Sequence, residues 1–255
     1  MSNKKEREKR REERLAEETQ VSSSDRRTRL LQVAAGAVFL VIVAVVVVIV
    51  VSSSGSDGSG DTELEEVATV DKLLTGIPQE GLVLGDPSAP VELIEFGDLQ
   101  CPICKQYSEE ILPEVIDNKV KSGEAKIDFR NFTIISEESI PAGAAAIAAG
   151  NQGRGWNYIE LFYRNQGTER SGYVTDEFMT SIAKGAGVKD IARWNKERKA
   201  KSTLKEVEAT LAEAQKFGFN GTPSFAIKGP GTNGTELPGT LQTPGEFEDA
   251  IEAAS

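Results

Sequence analysis

Cys101 and Cys104, separated by Pro102 and Ile103, are the only cysteines in a chain of 255 residues that contains no histidine. Two thiols at this spacing can close to a disulfide within a single turn and reopen, which is dithiol/disulfide redox chemistry. Other uses of the pair fit less well. A disulfide closing so small a loop constrains the unfolded chain little. Zinc asks for four ligands, and neither a histidine nor a third cysteine is present to complete the set. Copper would want methionine or histidine nearby, and the only methionines are Met1 and Met179. The lack of histidine also excludes a Ser-His-Asp triad and a His-assisted cysteine nucleophile. With both cysteines in one local pair, the fold has no other disulfide to lean on and must stand on its apolar core.

The elements around the pair are legible. Residues 91–96, Val-Glu-Leu-Ile-Glu-Phe, form a short apolar run bounded by Pro90 and Gly97, and read as a buried strand. From Cys101 onward the apolar positions fall at Ile103, Tyr107, Ile111, Leu112 and Val115, a helical spacing. The pair therefore sits where a strand passes through a short loop into a helix. The unpaired amides and dipole of a helix N-terminus favour an anion, which lowers a thiol's pKa and makes it a nucleophile.

Acidic residues outnumber basic ones, 40 to 29, for a net charge of −11 that argues against nucleic-acid binding. Residues 1–30 are a charged, nearly apolar-free tail with a local balance of +3 over residues 1–29, read as cytoplasmic. Within 31–51, residues 33–51 carry no charge and would cover roughly 28 Å as a helix, enough for a bilayer's hydrocarbon core. Arg26, Arg27 and Arg29 precede this span, and no Lys or Arg follows it until Lys72. The positive-inside rule then places the N-terminus in the cytoplasm and the remainder outside the cell membrane. No Ala-x-Ala-type site follows, so the span reads as an uncleaved, single-pass signal anchor. Residues 52–75 read as a flexible linker, rich in Ser, Gly and Asp up to Asp61, with a short amphipathic helix within 62–74.

The compact domain is expected over 76–255. An exposed first strand falls near Leu82–Leu84, and a second strand over 125–132. An inserted helical block occupies about 139–217, with Pro141 in the first turn of its first helix and Thr175 as a later N-cap. Its last part, 190–217, reads as helical up to Gly218. A third strand pattern runs over 219–228 and a closing helix over 243–254. The order is strand, helix, strand, helical block, strand, helix: an α/β layout with an all-helical insertion, preceded by a single transmembrane helix.

A Cys-Pro-x-Cys at a strand-to-helix turn, followed much later by Gly-Thr-Pro-Ser-Phe (residues 221–225) entering a strand, resembles the thioredoxin superfamily. The helical block narrows the resemblance to its DsbA-like branch, over about residues 81–254. The resemblance implies a thioredoxin-like fold and a thiol:disulfide oxidoreductase with no cofactor beyond the Cys101–Cys104 pair. It makes Cys101 the exposed nucleophile and Cys104 its buried resolving partner. Pro223 matches the family's cis proline beside the active site, and Thr222 would offer backbone groups to a client peptide. Pro102 and Ile103 would line the same client-binding surface. Glu95 falls at the family's buried carboxylate, thought to help proton transfer at the second cysteine. Glu95 can also be read as a solvated strand residue, with Glu92 so close on the same segment.

One departure bears on the direction of catalysis. Many members carry histidine where this chain has Ile103, and isoleucine donates neither a hydrogen bond nor charge. Asp98 would add like-charge repulsion. Both predict a smaller depression of the Cys101 pKa and a less oxidising pair. The resemblance favours an oxidase that introduces disulfides into exported clients and is served by a quinone-linked DsbB or vitamin K epoxide reductase type of membrane reoxidant. A reductase fed by a transmembrane donor, a non-catalytic tethered binding module and a metallochaperone remain as alternatives.

Overall fold

A computed structural model describes Leu64, residues 66–239 and residues 241–255. The charged tail, the expected membrane anchor and the Ser/Gly-rich part of the linker lie outside these residues. Among the described residues no helix is long and apolar enough to cross a membrane.

A five-stranded sheet runs in the order β1-β2-β4-β3-β5. Its strands are β1 (Gln79–Glu80), β2 (Val83–Leu84), β3 (Val91–Gly97), β4 (Ala125–Asn131) and β5 (Ser224–Lys228). The pair β3 and β4 is parallel, and the remaining pairings are antiparallel. Parallel neighbours need a crossover, and α2, spanning 102–120, supplies it. That helix alternates α-turns at Pro102–Gln106 and Leu112–Val115 with π-turns at Tyr107–Ile111 and Ile116–Val120. Pro113 accounts for the first widening. It has no N–H to donate and its ring crowds the preceding turn, and the Leu112 N–H reaches back five residues to the Tyr107 carbonyl.

The inserted block comprises α3 (Ser139–Gly150), α4 (Gly155–Arg164), α5 (Asp176–Gly185), α6 (Ile191–Glu197) and α7 (Lys201–Lys216), and α8 (Pro244–Ala254) closes the chain. Thr175 caps α5 by accepting the Phe178 N–H, and Thr243 with Glu246 forms a capping box on α8. Helix α3 is buried nearly all round, which its alanines permit by letting neighbours come close. Trp194 ties α6 to it through an indole N–H to the Ala145 carbonyl, and Trp156 ties α4 to β2 through the Leu82 carbonyl.

Strand β3 has apolar cover on both faces, as the middle of such a sheet requires. Val91, Leu93, Glu95 and Gly97 lie on one face and Ile94 and Phe96 on the other. Leu93 belongs to the main core with Phe129, Trp156, Phe162 and Cys104. Ile94 and Phe96 pack with Phe132 and Ala214, and Phe217 and Phe219 complete that cluster.

Several expectations need correction. The strand near Leu82–Leu84 is not exposed, since Leu84 is fully buried against the core. The short helix expected within 62–74 is α1 (Val67–Leu74), and it belongs to the compact domain and not to a flexible linker, since its Val70 and Leu74 are buried in the main core. Residues 190–217 make two helices, because Ala200 is extended and breaks the run. The strand pattern over 219–228 pairs only from Ser224, with Phe219 turned into the second cluster.

Gly97 ends β3, and the loop carrying Cys101 follows it. A Cβ there would lie 2.5 Å from a ring carbon of buried Phe129 and 3.2 Å from the Tyr163 hydroxyl. Gly97→Ala is expected to destabilise the domain by ~1–3 kcal/mol, as overpacking does. Gly245→Ala, whose Cβ would meet nothing within 4 Å, serves as the control and should leave the melting midpoint unchanged or slightly raised. Thermal unfolding of both variants checks this.

Candidate active site

Cys101 is the N-cap of α2, extended at φ −76° and ψ 119°, with Pro102 in the first helical position. Its sulfur accepts the Cys104 backbone N–H at 3.4 Å. In the thiol form, Sγ donates to the Thr222 carbonyl oxygen at 3.3 Å. Pro223 follows through a cis peptide bond and leads into β5, which pairs antiparallel with β3 (Phe96 opposite Ser224). The sheet thus carries two loops distant in sequence, 98–101 and 219–223, to one place.

Both sulfurs are reduced and buried, Cys104 completely; Cys101, expected exposed, is 4% exposed because the Thr222 carbonyl oxygen packs 3.3 Å from its sulfur. Pro102 and Ile103 form the exposed turn above them, with Ile103 50% accessible. Ile103 therefore belongs to the outer surface of the site and not to the buried stripe its spacing suggested, because the first turn of α2 projects past the sheet end.

The two thiols are driven apart electrostatically. Cys101 is lowered from the ordinary 9.0 to about 6. The largest cause is the hydrogen bond from the Cys104 thiol. Burial opposes it, and the backbone N–H groups of Cys104 and Ile103 add to it. The Thr222 hydroxyl is buried and makes no hydrogen bond among the described residues, so the contact of Thr222 with the sulfur is through its carbonyl oxygen. Cys104 is pushed well up, by burial first and then by Cys101. At neutral pH the stable form of the reduced pair is a Cys101 thiolate beside a Cys104 thiol.

The smaller depression expected from Ile103 and Asp98 is met by these donors, which need no side chain at position 103. Asp98 is buried, and its carboxylate is taken up by backbone donors. It accepts the backbone N–H groups of Gln100 (2.9 Å), Ile134 (2.8 Å) and Ile135 (2.9 Å), clamping the loop after β4 onto the cysteine loop. Burial pushes its pKa up and these hydrogen bonds push it down.

Glu95 is 1% exposed, on the Leu93 face of β3. Glu92, by contrast, is half-buried and paired with Lys228 at 2.9 Å. Burial, then the charges of Glu160 and Cys101, raise Glu95 to about 8. Its own charge is felt at Cys104. One of its carboxyl oxygens has no hydrogen-bond partner among the described residues.

The inserted helices contribute residues that the sequence did not reveal. Gln166 donates to the carbonyls of Leu99 (2.8 Å) and Cys101 (3.2 Å), and the Tyr163 hydroxyl donates to the Asp98 carbonyl at 3.3 Å. Gln100 is bound by the Arg170 N–H and donates to Ser136. Only Asp98, two residues before Gln100, has the local spacing of a turn-forming side chain; the others act at long range. Among the described residues no cluster of three or more metal-ligating side chains occurs.

A family model described as thioredoxin matches residues 78–253. Over 149 residues the chain is 30% identical to the probable disulfide bond formation protein D of Bacillus cereus, covering 57% of this chain and 69% of that one. Its fold is similar to oxidised BdbD from Bacillus subtilis, with a TM-score of 0.60 and 22% identity over 70% of this chain and 96% of that one. It is also similar to alpha-DsbA1 of Wolbachia pipientis, with a TM-score of 0.57 and 19% identity over 72% and 95%.

A pKa lowered by folding stabilises the fold at pH values above the unfolded pKa, and that stability is lost as pH falls through the folded value. For Cys101 this window runs from 9.0 down to about 6. The stability of the reduced protein, relative to Cys101→Ser, should therefore grow as pH rises from about 6 to 9 and be flat below it. Urea unfolding of both proteins under reducing conditions, across that range, measures the difference.

Proposed function

Because the chain belongs to the thioredoxin family and, within it, to the DsbA-like proteins, we propose that this thiol:disulfide oxidoreductase introduces disulfides into exported proteins. The observation that carries the direction is the place of the Cys101 sulfur at the N-terminus of α2, where it caps the helix and accepts the Cys104 N–H. A thiol with a lowered pKa is the better leaving group.

The steps balance as follows. A client thiolate attacks Sγ of Cys101 in the Cys101–Cys104 disulfide, forming a client–Cys101 bond and releasing Cys104 as thiolate. Burial disfavours that anion, which takes a proton, with Glu95 as the nearby carboxyl. A second client thiolate then attacks the client sulfur of the mixed disulfide, and Cys101 leaves as its stabilised thiolate. The client loses two electrons and gains a disulfide, and the enzyme pair is reduced. Thr222, on the edge beside Cys101, would hold the client strand through its backbone groups, and Pro102, Ile103 and Pro223 would shape the surface it lies on.

The pair then needs reoxidation. A quinone-linked membrane protein of the DsbB or vitamin K epoxide reductase type fits an anchored enzyme, with the span within 31–51 holding the domain outside the cell membrane. Similarity to a probable disulfide bond formation protein supports the same direction. A reductase fed across the membrane would use the same two sulfurs in reverse, and the stabilised Cys101 thiolate disfavours it.

When Cys101 of Cys104→Ser is first converted to its mixed disulfide with glutathione, a thiolate of a reduced, unfolded client should displace glutathione and leave a reductant-sensitive client–Cys101 disulfide, which Cys104 resolves in the unaltered protein. Cys101→Ser should form none and oxidise the client no faster than the uncatalysed rate. Gel analysis after thiol blocking reads both outcomes. Client oxidation surviving in Cys101→Ser would contradict the reading, and a phenotype that survived without oxidation would point to a tethered binding module.

A further inference from the structure

Glu160 lies in the middle of α4, is completely buried, and plays no part in the chemistry described above. A carboxyl placed so deep is costly unless it is paired or neutral. Among the described residues its one ion pair is long, 3.5 Å from Oε2 to Nη2 of Arg164. Arg164 gives its shorter contact, 2.7 Å, to Glu66 at the start of α1. The other oxygen of Glu160, Oε1, has no hydrogen-bond partner among the described residues, and the same is true of Oε1 of Glu95. Helix α4 packs against the first turns of α2, and Tyr163, one turn along from Glu160, reaches the Asp98 carbonyl in the cysteine loop. The Tyr163 hydroxyl also lies 3.2 Å from where a Cβ on Gly97 would stand, two residues on from Glu95 on the same face of β3, so α4 passes along the strand face that carries Glu95.

We infer that Glu160 and Glu95 form a coupled carboxyl pair in the interior behind Cys104, and that Glu160 tunes the proton affinity of Glu95. Glu160 is a positioning residue, acting through Glu95 and not on sulfur. The inference rests on the dithiol reading of Cys101 and Cys104 and extends it inward. When Cys104 is released as thiolate, the proton it takes comes from Glu95–H, leaving a carboxylate. The neighbouring Glu160 raises the energy of that carboxylate and so holds its proton affinity closer to that of a thiol. A carboxyl of ordinary acidity would match a thiol poorly as proton donor and acceptor near neutral pH.

The surroundings are consistent with a pair. Burial raises Glu160 to about 7, opposed by Arg164 and the Ser108 side chain, with Glu109 of α2 adding to the rise. Burial and then Glu160 raise Glu95 to about 8. The groups facing the two carboxyls are thus Arg164 from α4, Ser108, Glu109 and both cysteines from the α2 side, and Tyr163, itself pushed up by burial and then by Cys104 and Glu95. Arg164 is the cation among them.

The test is a carboxyl-carbon NMR titration of the full-length oxidised protein, with Glu95→Gln and Glu160→Gln used to assign the two signals. The unaltered protein should show two steps above the ordinary carboxyl range. In Glu160→Gln the Glu95 step should move down by about one unit, the size of a near like-charge effect, and stay elevated because burial remains. Glu160→Asp, which restores the charge, should return it toward its original place. The pH profile of client oxidation should shift in the same direction as the titration. An unmoved Glu95 step in Glu160→Gln would overturn the coupling, as would a single buried step in the unaltered protein, which requires no variant to fold. A moved titration with an unmoved profile would overturn the role in exchange. None of these outcomes depends on whether Cys101→Ser is inactive, so a failure of the dithiol reading would register separately.

Discussion

A thiolate must be made stable at the edge of a protein whose other thiol must stay protonated just beneath it. The geometry that does this is the N-terminus of α2, where Cys101 caps the helix and accepts the Cys104 backbone N–H. Everything nearby serves to hold that first turn in place. Strand β3 delivers the loop, Asp98 pins it to the segment after β4, Gln166 and Tyr163 hold its carbonyls from the inserted helices, and β5 brings Thr222 alongside. The donors converge on Cys101 alone because Cys104, three residues on, has turned inward to the core. One turn of helix therefore gives two chemically identical groups opposite roles.

The interior behind that turn is less apolar than an ordinary core. Glu95, Glu160 and Tyr163 all lie in it, and each is held against ionisation by burial. Such groups cost stability, and the large aromatic surroundings, with Trp156, Phe162 and Phe129 fully buried, offset that cost. A polar interior beside a reacting sulfur fits a site that must pass a proton without admitting bulk water.

Much of this was legible in the sequence, for local reasons. The cysteine pair, the strand before it and the helix after it are encoded within about twenty residues, so composition and spacing were enough. The Thr175 cap and the closing helix are equally local. Glu95 stayed ambiguous because Glu92 seemed to share its environment. Strand parity separates them: an odd spacing puts the two on opposite faces, and Glu95 falls with Leu93 and not with Glu92. Glu160, Gln166 and Tyr163 had no such signature. They come from helices some 60 residues downstream, and only the packing of the insertion over the sheet end places them at the site. The break at Ala200 and the packing of α1 were likewise set by tertiary contacts and not by the polar composition of their segments.

The account turns on the stabilised Cys101 thiolate, and the equilibrium reduction potential of the Cys101–Cys104 pair tests that most directly. Redox titration of the protein against glutathione buffers gives the value. A thiolate held this strongly makes the pair oxidising, so a potential nearer the DsbA end of the known range, about −120 mV, is predicted. A potential near that of thioredoxin, about −270 mV, would mean that the donors around Cys101 do not hold its charge, and would contradict the account.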